Sequence, residues 1–158
     1  LQSSSRLLLM LLMFIGGNPA STAGGVKVGT VSLMLMTLHA WLRGRNRVVI
    51  GRRSIAPGII QQATTVLLLT GGIVLGGTLL LTVLMPQARL DDVFFEVVSA
   101  MGTVGLSTGL TGSLNASGKW LIIFLMFLGR VGPVTFLLTL RTAKTGNIDY
   151  PPTRFLIG

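Results

Sequence analysis

The 158 residues include no cysteine, one histidine, one tyrosine and four acidic residues. Without cysteine there is no disulfide framework and no thiolate metal site, and the redox compartment stays open. One histidine and no paired carboxylates leave neither a metal-ligand set nor a general acid–base pair. The chain therefore does not read as an enzyme. Charge of any sign is scarce: 11% of residues are charged, against about a quarter in a soluble domain. The first residue is Leu, and no small-residue cleavage site follows the apolar run at 1–15, so no signal peptide is read. A fragment of a longer chain is expected.

Apolar residues dominate, at 50% of the sequence, with a mean hydropathy of +0.77. Membrane insertion is the natural reading. Thirteen Lys/Arg against four Asp/Glu give a net charge of +9. The aromatic and polar partners of a nucleic-acid surface are missing, so no nucleic-acid partner is expected. The positive charges are instead read by their position relative to the membrane.

A bilayer core takes about 20 apolar residues as helix. Thr64 to Pro86, "TTVLLLTGGIVLGGTLLLTVLMP", meets that length without a charge. Trp120 to Leu140 is a second span, interrupted by Arg130 and Pro133. Leu7 to Leu42 is too long for a simple span, and "GGNPASTAGG" at 16–25 divides it into two short halves, so it reads as one broken helix. The expected organisation is a broken helix over 1–42, a basic loop at 43–63 and an outer helix at 64–86. A short helix with a return loop follows at 87–116, an inner helix at 117–141 and a tail at 142–158. Arg43, Arg45, Arg47, Arg52 and Arg53 crowd the basic loop without an acid, which places it in the cytoplasm. The segment holding Asp91, Asp92 and Glu96 is then external. The tail, with Arg141, Lys144 and Arg154, is cytoplasmic.

The external segment carries the most specific chemistry. Val93, Phe94, Val97, Val98 and Met101 recur at helical spacing, and Asp91–Asp92 suit the amino end of that helix. The helix is too short to span, and "TVGLSTGLTG" follows it. Such a pair describes a re-entrant loop, since non-helical backbone at membrane depth survives only in protein or against water. A cation that sheds its water needs fixed oxygens, and inward-turned backbone carbonyls can supply them. Thr103, Val104 and Gly105 would offer those carbonyls, with Leu106 and Ser107 flanking. A glycine at 105 permits a turn that a Cβ would resist. A hydrophilic loop containing a glycine turn fits the composition equally well. At 16–25 a fixed Gly/Pro kink also fits. A phosphate-binding loop does not, because Val26-Lys27-Val28 follows the glycines where Gly-Lys-Ser/Thr is required.

"FFEVVSAMGTVGLSTGLT" ahead of "LIIFLMFLGRVGP" closely resembles the last pore loop and last helix of the Ktr/Trk/HKT superfamily of potassium transporters. "LLMLLMFIGGNPASTAGGVK" resembles the broken inner helix of the preceding repeat. The likeness extends over nearly the whole chain and is strongest to the membrane subunits of bacterial Ktr systems. It implies an all-α integral membrane fold of helix–pore-loop–helix repeats. Here the third inner helix and the complete fourth repeat would be present. It implies uptake of K⁺ as the transported ion, with Na⁺ as a candidate coupling ion and no covalently bound cofactor. Thr103, Val104, Gly105, Leu106 and Ser107 match one quarter of the selectivity filter. Gly16, Gly17, Asn18, Pro19, Ala20, Ser21, Thr22, Ala23, Gly24 and Gly25 match an intramembrane gate loop. Arg130 matches an arginine beside the pore near that loop. The alternative is that it supports the fold by capping carbonyls freed at Pro133.

The partners implied are the remainder of the transporter chain, a second copy as a homodimer, membrane lipid and a cytoplasmic ring of nucleotide-binding regulatory subunits. The site of action would be the plasma membrane. The close at Gly158 looks like a natural carboxyl terminus. A truncated non-conducting fragment and a basic membrane-anchored adaptor are the competing readings.

Lesser features read as structure. Gly72 and Gly76 suggest close helix packing, Asn115-Ala116-Ser117 is a glycosylation-type triplet, and His39 lies at a membrane edge. Glu96 could attract cations or support the filter.

Overall fold

The structure is a computed structural model, and it describes residues 3–18, 23–45, 48–50 and 53–132. Six helices follow in chain order: α1 (Ser3–Phe14), α2 (Val28–Leu42), α3 (Pro57–Leu84), α4 (Leu90–Gly102), α5 (Leu110–Ser113) and α6 (Ala116–Val131). The helical reading holds, with one small departure. Val49–Ile50 (β1) and Arg53–Ser54 (β2) pair antiparallel within the basic loop. Arg47, Arg52, Pro133 and the whole tail, with Arg141, Lys144 and Arg154, lie outside the described residues.

α3 starts at Pro57, seven residues before the apolar run. Proline tolerates the first helical turn because its missing N–H has no intrahelical partner there. At 28 residues the helix is about 42 Å long, enough to cross a hydrocarbon core of about 30 Å with tilt. Among the described residues it is the one helix both long and apolar enough to do so.

α4 is the centre of the assembly. Val93, Phe95, Glu96, Val97, Val98, Ser99, Ala100 and Met101 are all buried. A helix closed off on nearly every side needs cover from several neighbours, and α1, α3 and α6 provide it. Arg6 of α1 meets Asp91 and Asp92 in the first turn of α4 at 3.2 and 3.0 Å. Seven residues later, the Met13 carbonyl lies against Gly102. The two helices therefore run side by side in the same direction. Gly77 of α3 packs on Leu125 and Val97, and the methyls of Leu81 face Gly118, so α3 runs opposite to α6.

Among the described residues, Gly72 and Gly76 do not make the close packing expected of them. A Cβ at either would meet nothing within 4 Å, whereas one at Gly77 would lie 3.1 Å from Leu125. The tight face of α3 is one residue removed from the motif.

Candidate functional site

The break between α1 and α2 is closed at its ends. Ile15 and Val26 form a parallel bridge. Gly16 N–H donates to the Val26 carbonyl at 2.7 Å, Val26 N–H to Phe14 at 3.2 Å and Val28 N–H to Gly17 at 3.3 Å. The chain thus leaves and re-enters at one point. Gly25 takes φ +73°, a region that L side chains avoid. Lys27 Nζ donates to the Ala23 carbonyl, a cation on the loop that sequence reasoning passed over. Of the ten loop residues, Pro19, Ala20, Ser21 and Thr22 lie outside the described residues. Gly16, Gly17, Asn18, Ala23, Gly24 and Gly25 are described.

α4 ends directly above this loop. Thr103 N–H donates to Ala100 at 3.1 Å and Val104 N–H to Ser99 at 3.0 Å, the paired bonds of a Schellman cap. The cap residue in such a turn is usually glycine, yet Thr103 holds φ 54° and ψ 36°. A β-branched residue in that region is strained, at a cost on the order of 1–3 kcal/mol. Its side chain supplies the compensation: Thr103 Oγ1 accepts from Gly24 N–H at 2.9 Å. The gate-loop match and the filter match therefore touch through a hydrogen bond across 79 positions.

α6 closes the same junction. A Cβ at Gly129 would stand 2.1 Å from the Met101 carbonyl, and one at Gly24 would stand 2.7 Å from that carbonyl and 3.0 Å from the Gly129 carbonyl. Three backbones meet there, and only glycine fits at two of the contacts. Arg130, the next residue, is exposed at the last turn of α6. The loop at 16–25, the start of the filter match and Gly129, the neighbour of Arg130, meet at one junction.

Beyond Thr103 the chain is irregular and open. Val104 and Leu106 are 44% and 46% exposed. Gly105 sits at φ +81° with nothing within 4 Å of a Cβ, so glycine is needed there for its backbone and not for room. The Leu106 carbonyl accepts from Ser99 Oγ at 2.5 Å, which turns it back toward α4. Among the described residues, no hydrogen bond ends on the carbonyls of Thr103, Val104 or Gly105. Thr103 is half-buried and Val104 and Gly105 are exposed, so these three consecutive carbonyls are open to water, an outside donor or a cation. The partial negative charge at the carboxyl end of α4 favours a cation.

Sequence reasoning left the role of Glu96 open and missed Arg6. Glu96 is 4% exposed. Its Oε1 accepts from Ser107 Oγ and from Thr108 N–H at 3.1 Å, and its Oε2 accepts from Thr111 Oγ1 at 2.7 Å. Asn115 is a helix cap: its Oδ1 accepts from Gly118 N–H at 2.7 Å and its Nδ2 donates to the Leu84 carbonyl at 3.0 Å.

A family model described as "TrkH: Cation transport protein" matches residues 1–148. The chain is 44% identical over 149 residues to the Ktr system potassium uptake protein B of Bacillus subtilis (strain 168), covering 94% of this chain and 33% of that protein. It is 37% identical over 159 residues to the Ktr system potassium uptake protein D of the same organism, covering 100% of this chain and 35% of that one. The crystal structure of the potassium transporter TrkH from Vibrio parahaemolyticus superposes with a TM-score of 0.72 at 24% identity, over 86% of this chain and 31% of that chain. The chain spans about a third of the length of the curated relatives it matches.

Proposed function

We propose that this chain, which belongs to the TrkH cation transport protein family, supplies one quarter of the ion pathway of a membrane potassium uptake system. The row of uncommitted carbonyls at Thr103–Gly105, capping α4, is the observation that carries the reading. K⁺ binding there exchanges water oxygens for backbone oxygens. One such segment encloses one side of an ion, so three more come from sequence beyond this chain. α1 with α2 is then the inner helix of a third repeat, and α3 through α6 form the fourth.

The loop at 16–25 acts in this reading as a gate beneath the filter. Its contact with Thr103 and Gly129 supports this reading, in which a shift of the loop opens or obstructs the path. Arg130 stands beside it and raises the barrier to a cation in the closed form, since a charge at membrane depth normally marks function. The amino end of α4 faces the outside and the arginine loop faces the cytoplasm. There the loop meets anionic lipid or a regulatory subunit ring, and the complete membrane subunit works as a homodimer.

The test is ⁸⁶Rb⁺ uptake by the complete transporter in a strain deficient in K⁺ uptake. Gly105→Ser forces a side chain into a left-handed backbone at roughly 1–2 kcal/mol and is expected to abolish discrimination between K⁺ and Na⁺. Repeating the assay with and without Na⁺ measures coupling. Uptake that is absent from the wild type, or unaltered by Gly105→Ser, refutes the reading.

A further inference from the structure

The segment from Val104 to Gly109 has almost no packing of its own. Gly105 and Gly109 stand in open space, and Val104 and Leu106 are half exposed. No strand pairs with it among the described residues. Its shape depends on what holds it at each end. The Thr103 cap fixes the near end. The far end is fixed by two side chains from α4, Glu96 and Ser99, which lie one turn apart on one face.

Ser99 takes one carbonyl, that of Leu106. Glu96 takes three donors from three residues: the hydroxyls of Ser107 and Thr111 and the N–H of Thr108. Its reach extends into α5, so one carboxylate ties the return loop to the helix behind it. A buried carboxylate is costly unless its oxygens are satisfied, and bonds to a charged acceptor are roughly twice as strong as neutral ones. Both oxygens here are engaged, and among the described residues no cation pairs with Glu96. All three donors are directed onto the carboxylate.

We propose that Glu96 is a specificity-determining positioning residue. It acts through hydrogen bonds to Ser107, Thr108 and Thr111 that hold the peptide planes of Thr103–Gly105, and not as a charge that draws cations. The proposal rests on the filter reading given above. A glutamine can reproduce the three links. Its Oε1 serves Ser107 and Thr108, and its Nε2 donates to Thr111 Oγ1, whose hydroxyl can also accept. An alanine reproduces none.

The measurement is the K⁺-over-Na⁺ discrimination of ⁸⁶Rb⁺ uptake by the complete transporter, at matched protein levels, in wild type, Glu96→Gln, Glu96→Ala and Thr111→Val. Discrimination is expected to fall about tenfold in Glu96→Ala, one factor of ten for each 1.4 kcal/mol of lost positioning. It is expected to stay within about twofold of wild type in Glu96→Gln. Thr111→Val, which removes one donor at an exposed position of α5, is expected to fall between them and reports even if Glu96→Ala does not accumulate. Equal loss in Glu96→Gln and Glu96→Ala overturns the proposal in favour of charge. Unaltered discrimination in Glu96→Ala or in Thr111→Val overturns it outright. If Gly105→Ser is still defective in that case, only the role of Glu96 falls. If Gly105→Ser is also normal, the filter reading falls with it.

Discussion

Replacing Gly129 by alanine places a methyl 2.1 Å from the Met101 carbonyl oxygen and 2.9 Å from its carbon, where ordinary contact begins at 3.4 Å. The obstacle is backbone, so no side chain can swing aside, and α6 must retreat from α4 by about 1.3 Å. Overpacking of this kind costs about 1–3 kcal/mol, and a rigid obstacle argues for the upper end. Against it stands the helix preference of alanine over glycine, about 1 kcal/mol. The net expectation is a loss of about 2 kcal/mol. Gly72→Ala is the matched control, because it lies in a helix with open space around its Cβ. It should gain about 1 kcal/mol from the same preference. The pair therefore separates by about 3 kcal/mol for one identical chemical change. Thermal unfolding of the purified complete transporter in detergent, followed by loss of the monodisperse peak after heating, reads the separation. Equal midpoints for the two variants would refute the claim that α6 and α4 meet backbone to backbone.

Two other substitutions probe neighbouring parts of the same assembly. Arg130→Ala in the complete transporter is expected to raise ⁸⁶Rb⁺ flux several-fold at normal protein level, as removal of a cation from beside the gate loop lowers the barrier; unchanged flux removes its gating role. Asn115→Ala loses the cap on α6 and the link to Leu84, and is expected to cost about 1 kcal/mol. Asn115→Asp keeps the Gly118 contact and should recover most of the stability, so an equally unstable Asn115→Asp would show that the cap is not what matters.

The apolar runs of this sequence determined that α2, α3 and α6 would be helices, because backbone hydrogen bonds in an apolar setting are best satisfied within the segment. Gly16 to Gly25 determined that α1 and α2 would be separated by a break, and Asp91 with Asp92 marked the start of α4. These are local effects, set by residues within a turn or two of one another. The start of α3 at Pro57 was less legible, since the helix begins in polar sequence before the apolar run.

The junction was decided by tertiary structure alone. Gly24 and Thr103 are 79 positions apart, and Arg6 and Asp92 are 86 apart. No periodicity in the chain links them. Glycines at 72, 76, 77 and 129 look alike in the sequence, and only packing shows that two of them face open space while Gly77 and Gly129 admit close neighbours. Glu96 reads in the sequence as either an attractor of cations or a support for the filter, and only the return loop folding over it shows the three donors it binds. Composition fixes which segments leave water. Which backbone groups then find partners, and which carbonyls are left without one, depends on contacts between distant segments that form only when α1, α4 and α6 come together.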